Sequence, residues 1–128
     1  MSAESTGRGD LQAILDRVTF DEKGLIPAVI QAEDTREVLM VGYMNAEAIG
    51  RTLTSGRVTF WSRSRGEYWR KGDTSGNRQY VRAAALDCDA DAILVTVHQL
   101  GPACHTGAHS CFEVDPLDPV LGSEDDDQ

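Results

Sequence analysis

The chain has 128 residues, with 12 lysines and arginines against 21 aspartates and glutamates, and its formal net charge is −9. That length fits one compact domain, and the acidic balance argues against nonspecific binding to nucleic acid, which depends on neutralising phosphates with Lys and Arg. The longest apolar-rich run, residues 92–100, is too short to cross a membrane and the N-terminus lacks the apolar stretch of a signal peptide, so we expect a cytoplasmic location.

The first half of the chain predicts two helices with a hairpin between them. The small, polar N-terminal residues predict disorder, and apolar side chains at helical spacing and two β-branched runs follow. In chain order these are a disordered N-terminus (1–9), a short amphipathic helix (11–20) and the two strands of the hairpin (25–32 and 37–43). Asn45 then predicts the N-cap of a helix that runs to about Thr54, with Gly56 as its stop.

The second half of the chain is dominated by predicted strands. They cover residues 57–63, 79–86 and 92–99, with a short strand around 112–114. Residues 64–77, rich in Gly and Ser, predict a long loop with a turn at Glu67–Arg70. Because strands do not alternate with helices, we predict a single α+β domain over residues 10–115, with a mostly antiparallel sheet and few short helices. The acidic residues 116–128 predict a disordered tail.

A basic segment interrupts the acidic chain. Between Arg57 and Arg82 lie seven basic and two acidic residues, a net charge of +5. Guanidinium groups bind phosphate oxygens through paired hydrogen bonds, and the segment therefore favours an anion site. The alternative is a solvated face that balances the acidic residues around it.

The three cysteines, Cys88, Cys104 and Cys111, stand among polar residues and glycines. A lone cysteine is usually a small buried apolar residue, but three thiolates would suit Zn²⁺, and three protein ligands leave one position open for water, as in catalytic zinc sites. His105 or His109 could instead be a fourth ligand, which would make the site structural. The spacing matches no zinc-finger pattern, so both readings stay open at this point.

Three aspartates, Asp87, Asp89 and Asp91, occupy alternate positions where a predicted strand ends. In an extended backbone such side chains share one face, and carboxylates held that close favour a cation. An all-oxygen ligand set suits Mg²⁺, which keeps several waters and substrate oxygens. The alternative is a polar turn with solvated carboxylates.

Four segments of the chain resemble the phosphoribosyl-AMP cyclohydrolase family. They are WSRSR from Trp61, WRKGDTSG from Trp69, DCDAD from Asp87 and QLGPACHTGAHSCF from Gln99. The similarity runs from about residue 25 to residue 112. Two positions depart from the usual pattern: Ala90 stands where Gly is common, and Asp73 stands where Glu is frequent.

The resemblance implies a hydrolase of L-histidine biosynthesis that opens the purine ring of phosphoribosyl-AMP at its N1–C6 bond. It also implies two metal sites: Zn²⁺ at Cys88, Cys104 and Cys111, and Mg²⁺ at Asp87, Asp89 and Asp91. The zinc site is implied to be shared between the subunits of a homodimer, with Cys88 from one chain and the other two cysteines from its partner.

The implied reaction suggests roles for further residues. His105, next to Cys104, is the candidate general acid and base because histidine titrates near neutral pH; structural support of the metal loop or a fourth ligand is the alternative. Both arms of the substrate end in phosphate, for which the candidate ligands are Arg63, Arg65, Lys71, Thr74, Ser75 and Gly76. Trp61 and Trp69 could stack on the purine, although large aromatic residues more often pack in the core.

Three other functions are alternatives to the cyclohydrolase activity. A structural zinc module for protein interaction would have a filled fourth coordination position and no ring-opening activity. A nucleobase deaminase would release ammonia, but the His-x-Glu and Cys-x-x-Cys signature of that class is absent from the sequence. An RNA-binding groove could use the two tryptophans and the basic segment, and the net charge of the whole chain argues against it.

Overall fold

The computed structural model describes residues 3–120, with side chains from residue 10 onward. Its elements are, in chain order, α1 (Ala3–Arg17), β1 (Ile26–Ala32), β2 (Val38–Met44), α2 (Ala46–Ser55), β3 (Thr59–Ser62), β4 (Glu67–Arg70), β5 (Gln79–Leu86), β6 (Ile93–Gln99) and a 3₁₀ turn (Cys111–Glu113). No helix in the described part of the chain has the length and apolar character needed to cross a bilayer.

The strands form two sheets. The larger sheet has the order β2-β1-β6-β5, in which only the β1–β6 pair is parallel, and β3 and β4 form a separate antiparallel pair. The predicted class, a strand-rich α+β domain with a mostly antiparallel sheet and few helices, is therefore confirmed.

The core lies on one face of the larger sheet. Alternate residues of β1 are buried from Ile26 to Ala32, as the two-residue period of a strand with one covered face requires. Ile49 of α2 and Phe60 of β3 are both fully buried against this face. Helix α2 and the β3–β4 sheet thus cover one face of the larger sheet.

The boundaries of α2 are those that the sequence predicts. The side-chain oxygen of Asn45 accepts the N–H of Ala48 at 2.9 Å, which satisfies one of the free amides of the first turn. Gly56, at φ +76°, ends the helix and donates its N–H to the carbonyl oxygen of Thr52. The left-handed conformation favours glycine at that position.

The first helix differs from the prediction for residues 11–20. It begins at Ala3, so residues 3–9, for which disorder was predicted, are helical, because each residue added to a formed turn gains a hydrogen bond at little further cost. It ends at Arg17, because the N–H of Thr19 turns away to the carbonyl oxygen of Ala90 at 2.8 Å. Of the predicted disordered tail, residues 116–120 carry no helix or strand, and residues 121–128 lie outside the described part.

Two further predictions were wrong. Residues Glu67–Arg70 form strand β4 rather than a turn, because the tight turn lies earlier, where Gly66 donates its N–H to the carbonyl oxygen of Ser62. The strand predicted around residues 112–114 is instead part of the 3₁₀ turn, because the hydroxyl of Ser110 accepts the N–H of Phe112 and caps that turn.

Candidate active site

A cleft of about 560 Å³ opens between the segment that follows β4 and the loop that carries Cys104. Five of the predicted substrate-binding residues line it: Arg65, Trp69, Lys71, Thr74 and Ser75. Cys104 and His105 line the opposite wall. Tertiary folding therefore brings two distant sequence motifs to one concave surface.

Three other predicted substrate-binding residues are placed elsewhere. Trp61 packs edge-on against the ring of Tyr68, with centroids 4.8 Å apart. The Arg63 guanidinium lies 3.9 Å from the ring centroid of Tyr43, and the N–H of Gly76 is already donated to the carbonyl oxygen of Gly72. The structure gives these three groups protein partners and does not bring them into the lining of the cleft.

The turn after β4 is held by charge and by close packing. Asp73 accepts hydrogen bonds from Arg70 and from Arg57, each at 2.9 Å. The bond from Arg70 is the main reason that the pKa of Asp73 lies below its usual value. At Gly72, with φ +91°, an added Cβ would lie 2.6 Å from the Cα of Arg78, so the turn requires glycine there.

The basic segment is only partly free to bind an anion. Arg57 and Arg70 are paired with Asp73, and Arg82 is paired with Glu33. Arg65 has one long, exposed ion pair of 3.5 Å, with Glu67. The paired arginines therefore fit the interpretation of the basic segment as a solvated face, whereas the middle of the segment faces the cleft.

Lys71 differs from the other basic residues because it is buried, with 9% of its surface exposed. Burial lowers its pKa, and the neighbouring sulfurs of Cys111 and Cys104 act in the opposite direction. Its ammonium group is thus enclosed between the cleft and the two cysteines. That position suits a group that balances negative charge on sulfur as well as one that binds phosphate.

Cys104 lies in a small closed loop. The N–H of Ala103 bonds to the carbonyl oxygen of His109 at 3.0 Å, and the N–H of Cys104 bonds to that of Ala108 at 3.1 Å. Inside the loop, the hydroxyl of Thr106 donates to the sulfur of Cys104 at 3.1 Å. This hydrogen bond is the main reason that the pKa of the Cys104 thiol is lowered.

Cys111 lies beside Cys104 and has the opposite shift. Burial raises the pKa of the Cys111 thiol, and the adjacent sulfur of Cys104 raises it further. Two adjacent sulfurs, one of them favoured as a thiolate, are residues that could supply two ligands to a tetrahedral metal ion. The sequence grouped Cys104 and Cys111 with Cys88 as candidate zinc ligands, and the structure places the first two side by side.

Cys88 does not join this pair within one chain. Among the described residues, the three aspartates are the one set of three or more His, Cys, Asp or Glu side chains whose ligand atoms are close enough for one cation. Cys88 is exposed in the turn after β5, whereas Asn77, just before β5, lines the cleft with Cys104. Strand β5 (Gln79–Leu86) lies between Asn77 and Cys88, and its seven residue-to-residue intervals alone span roughly 23 Å.

The ligand oxygens of Asp87, Asp89 and Asp91 lie within 4.8 Å of one another. Asp87 accepts the N–H groups of Asp91 and Ala92 at 3.0 and 3.2 Å. Desolvation, the largest single influence, opposes its ionisation, but these bonds and the side-chain hydrogen bonds with Asp91 and Asp89 together lower its pKa. The pKa of Asp91 is raised, first through its hydrogen bond with Asp89, then through desolvation and the neighbouring charges. One carboxyl of the group thus retains its proton more readily than an isolated aspartate.

The two candidate histidines have different surroundings. His105 is exposed on the wall of the cleft, next to Cys104. His109 lies outside that lining, with its Nε2 atom 3.0 Å from a carboxylate oxygen of Glu37. Of the two, His105 has the position from which a bound molecule could be reached.

Two side chains that contact the cysteines or the strands beside them were not predicted from the sequence. Thr106 donates to Cys104, and Ser110, just before Cys111, is buried and bonded to β2. The sequence signal was the position of each hydroxyl residue one or two places from a cysteine in a glycine-containing loop.

Comparisons with known proteins match this chain over most of its length. A family model described as phosphoribosyl-AMP cyclohydrolase matches residues 40–113, more than half of the chain. A protein named phosphoribosyl-AMP cyclohydrolase from Clavibacter sepedonicus is 66% identical over 117 residues, which cover 91% of this chain and 85% of the relative. A protein of the same name from Bifidobacterium adolescentis is 69% identical over 108 residues, which cover 84% of this chain and 80% of the relative. Another from Frankia alni is 61% identical over 110 residues, which cover 86% of this chain and 83% of the relative.

The fold and the cleft define a small α+β protein in which sulfur, imidazole and basic groups meet at one concave surface. The chain belongs to the phosphoribosyl-AMP cyclohydrolase family.

Proposed function

We propose that this protein hydrolyses phosphoribosyl-AMP, opening its purine ring between N1 and C6, as a cytoplasmic step of L-histidine biosynthesis. The observation that carries the proposal is one cleft that holds Cys104, His105 and Lys71 in a chain belonging to this family. The ring carbon to be attacked is electrophilic because N1 is alkylated. Water alone is a weak nucleophile at neutral pH, and the reaction therefore needs an activating group.

Zn²⁺ fits the sulfur pair. Cys104 and Cys111 are adjacent, Cys104 has a lowered pKa and Lys71 places a positive charge beside both sulfurs. Sulfur donors of this kind suit zinc, whose ligands must be thiolates. A zinc ion held there with an open position would lower the pKa of bound water to about 7 and so supply a nucleophile at neutral pH.

The third sulfur ligand in this proposal is Cys88 of the partner subunit. The length of β5 separates the Cys88 turn from the cleft in one chain, so a second copy must supply this ligand. The proposed active form is therefore a homodimer with two shared zinc sites.

The uncovered face of the larger sheet supports such a dimer. Strand registers align Val41 with Val29, Val29 with Leu94 and Leu94 with Ala85, which gives an apolar row across all four strands. Val41 has 44% of its surface exposed, a high value for a strand valine. A row of this kind, ending one residue from the Asp87–Asp91 turn, suits contact with a second copy.

Mg²⁺ is the proposed ion at Asp87, Asp89 and Asp91. Ligand oxygens that share an octahedral Mg²⁺ lie within about 4.2 Å of one another, since each Mg–O bond is about 2.1 Å. The observed limit of 4.8 Å is close enough for small side-chain rotations to complete the set. Such an ion keeps several waters and can accept phosphate oxygens of a substrate.

The basic wall of the cleft is the proposed binding surface for a substrate phosphate. Arg65 has only an exposed protein partner, and Thr74 and Ser75 add hydroxyl groups beside it. Trp69 lines the cleft while its ring packs on Phe60 with centroids 4.6 Å apart. Its fixed ring offers a rigid edge against which the purine can be oriented. Arg63, Trp61 and Gly76, which have protein partners, are proposed to support this surface from outside the cleft.

His105 is the proposed proton-transfer residue. It stands next to Cys104 and faces the cleft, so its imidazole can accept a proton from water and deliver one to the departing N1 nitrogen. Both transfers are needed because the water oxygen adds to C6, which becomes a carboxamide, while the N1–C6 bond breaks and N1 gains a proton as part of a formamidine still bonded to C2.

The direct test is to incubate the purified protein with phosphoribosyl-AMP and follow ring opening by ultraviolet absorbance, with and without a zinc chelator. We expect turnover that the chelator abolishes and added Zn²⁺ restores. Turnover that a chelator leaves unchanged would reject the zinc mechanism while keeping the activity. Ammonia release without ring opening would indicate a deaminase instead.

A further inference from the structure

We propose that Ser110 is a positioning residue, which fixes the Cys104–Cys111 pair against strand β2. This inference rests on the proposed function, in which the two sulfurs hold zinc. It concerns a side chain that touches neither substrate nor metal. Its action would be exerted through the backbone on either side of it.

Ser110 is almost fully buried, with 1% of its surface exposed. Its hydroxyl donates to the carbonyl oxygen of Val38 at 2.7 Å and lies 3.4 Å from that of Leu39. The same hydroxyl accepts the N–H of Phe112 at 3.0 Å. The side chain thus joins the sulfur segment to a strand 72 residues earlier in the chain.

The bond from Phe112 sets the direction of Cys111. Ser110 is in an extended conformation, at φ −124° and ψ 144°, and caps the 3₁₀ turn that Cys111 begins. A cap of this kind fixes the backbone of the first residue of the turn. The sulfur of Cys111 is therefore aimed by the Ser110 hydroxyl.

Cys104 is coupled to the same anchor. Its loop is closed by backbone bonds from Ala103 to His109 and from Cys104 to Ala108, so residues 103–109 move together. Ser110 follows this loop directly and attaches it to the sheet. One buried hydroxyl therefore lies between the closed loop that carries Cys104 and the turn that Cys111 begins, and it attaches both to the sheet.

The neighbouring contact of His109 with Glu37 provides a natural comparison. It joins the same two segments at 3.0 Å, but the side chains are 50% and 35% exposed. An exposed side-chain contact of this kind contributes little because water competes for both groups. A buried hydroxyl whose donor and acceptor are both used is far more costly to remove.

The test compares Ser110→Ala, Ser110→Thr and Glu37→Gln with the unaltered protein. Two probes are used on each: Zn²⁺, measured by competition with a chromogenic chelator, and phenylarsine oxide, which binds two thiols only when they are close together. Thermal unfolding of the metal-free protein reports folding, and kcat and KM are measured on the zinc-loaded protein.

We expect Ser110→Ala to weaken binding of both probes by at least about tenfold, the usual effect of removing a group that orients a metal ligand. Turnover should fall through kcat with KM little changed. Ser110→Thr keeps the hydroxyl and should retain binding within about threefold, and Glu37→Gln should match the unaltered protein. If Ser110→Ala does not fold, Ser110→Thr decides: wild-type binding supports the role, and tenfold weaker binding in a folded protein overturns it.

Equal binding of both probes by Ser110→Ala and the unaltered protein would overturn the positioning role. An equal loss of probe binding in Ser110→Ala and Glu37→Gln would also overturn it, since the loss of any contact with this part of the chain would then weaken binding. If the unaltered protein binds no Zn²⁺ but binds the arsenical in a manner that depends on Ser110, the zinc proposal fails and the positioning role stands.

Discussion

The hydroxyl of Thr106 donates a hydrogen bond to the sulfur of Cys104 across 3.1 Å. Both residues belong to one closed loop, so the bond is formed before any ligand arrives. A sulfur that accepts a hydrogen bond is stabilised as the thiolate, which is the form that binds metal. The loop therefore stabilises the sulfur of Cys104, the one cysteine within it, as the thiolate.

Replacing Thr106 with valine should make Cys104 less reactive in the metal-free protein. The Thr106 bond is the largest cause of the lowered pKa of this thiol, and its removal must raise that pKa and reduce the thiolate fraction at neutral pH. Alkylation by iodoacetamide, followed by mass spectrometry across a pH series, should show a midpoint displaced to higher pH. Cys88, exposed in another turn, is the internal control whose profile should not move. An unmoved Cys104 profile would contradict this reading of the loop.

Replacing Asp89 with asparagine should raise the Mg²⁺ concentration needed for half-maximal turnover several-fold. The change removes one of three carboxylates whose oxygens lie within 4.8 Å, and a Mg²⁺ site with few protein ligands depends on each. Asp34→Asn, in the exposed turn between β1 and β2, is a matched control with the same change of charge. If both variants require the same Mg²⁺ concentration, the three aspartates form a polar turn and do not bind Mg²⁺.

Replacing His105 with asparagine should reduce kcat by about a hundredfold or more, the usual contribution of a general acid or base, while zinc remains bound. His109→Gln is the control, because His109 pairs with Glu37 outside the lining of the cleft. Elemental analysis and kinetics on the same samples separate the alternatives. Joint loss of zinc and turnover in His105→Asn would make His105 a ligand.

The sequence predicted those parts of the fold that local chemistry decides. Asn45 and Gly56 delimit α2 because a cap and a left-handed stop act within a few residues. Strand β4 was missed because its two aromatic residues are adjacent rather than alternating: Tyr68 packs on Trp61, and Trp69 packs on Phe60. Both contacts are made across the β3–β4 pair, which a local pattern does not reveal.

The candidate site divides in the same way. Asp87, Asp89 and Asp91 were predicted to share one face of an extended backbone, but they lie in a turn in which Ala90 has φ +63°, and this turn brings their ligand oxygens within 4.8 Å of one another. The segment that carries Cys104 and Cys111, by contrast, is attached to β2 by a hydrogen bond from Ser110. That contact spans 72 residues, and only tertiary structure reveals it.

Mixing Cys88→Ala and Cys104→Ala chains should restore activity that each variant lacks alone. In a homodimer with shared sites, one of the two zinc sites of a mixed dimer would receive all three cysteines, and about half of the wild-type turnover per dimer is expected. Purified heterodimers, obtained with two different affinity tags, provide the measurement. An inactive heterodimer would show that the three sulfurs are not shared in this way.

Replacing Ala90 with glycine should stabilise the metal-free protein. Ala90 has φ +63°, a left-handed conformation that costs an L-residue about 1–2 kcal/mol, whereas glycine adopts it without strain and loses about 0.5–1 kcal/mol in backbone entropy on folding. The expected net gain is therefore about 0.5–1 kcal/mol in the free energy of unfolding, measured by urea denaturation. Ala84→Gly, on strand β5 with a negative φ, is the matched control and should destabilise the protein, because it adds flexibility without relieving strain. If both glycine variants are destabilised equally, the Asp87–Asp91 turn does not hold Ala90 in that conformation.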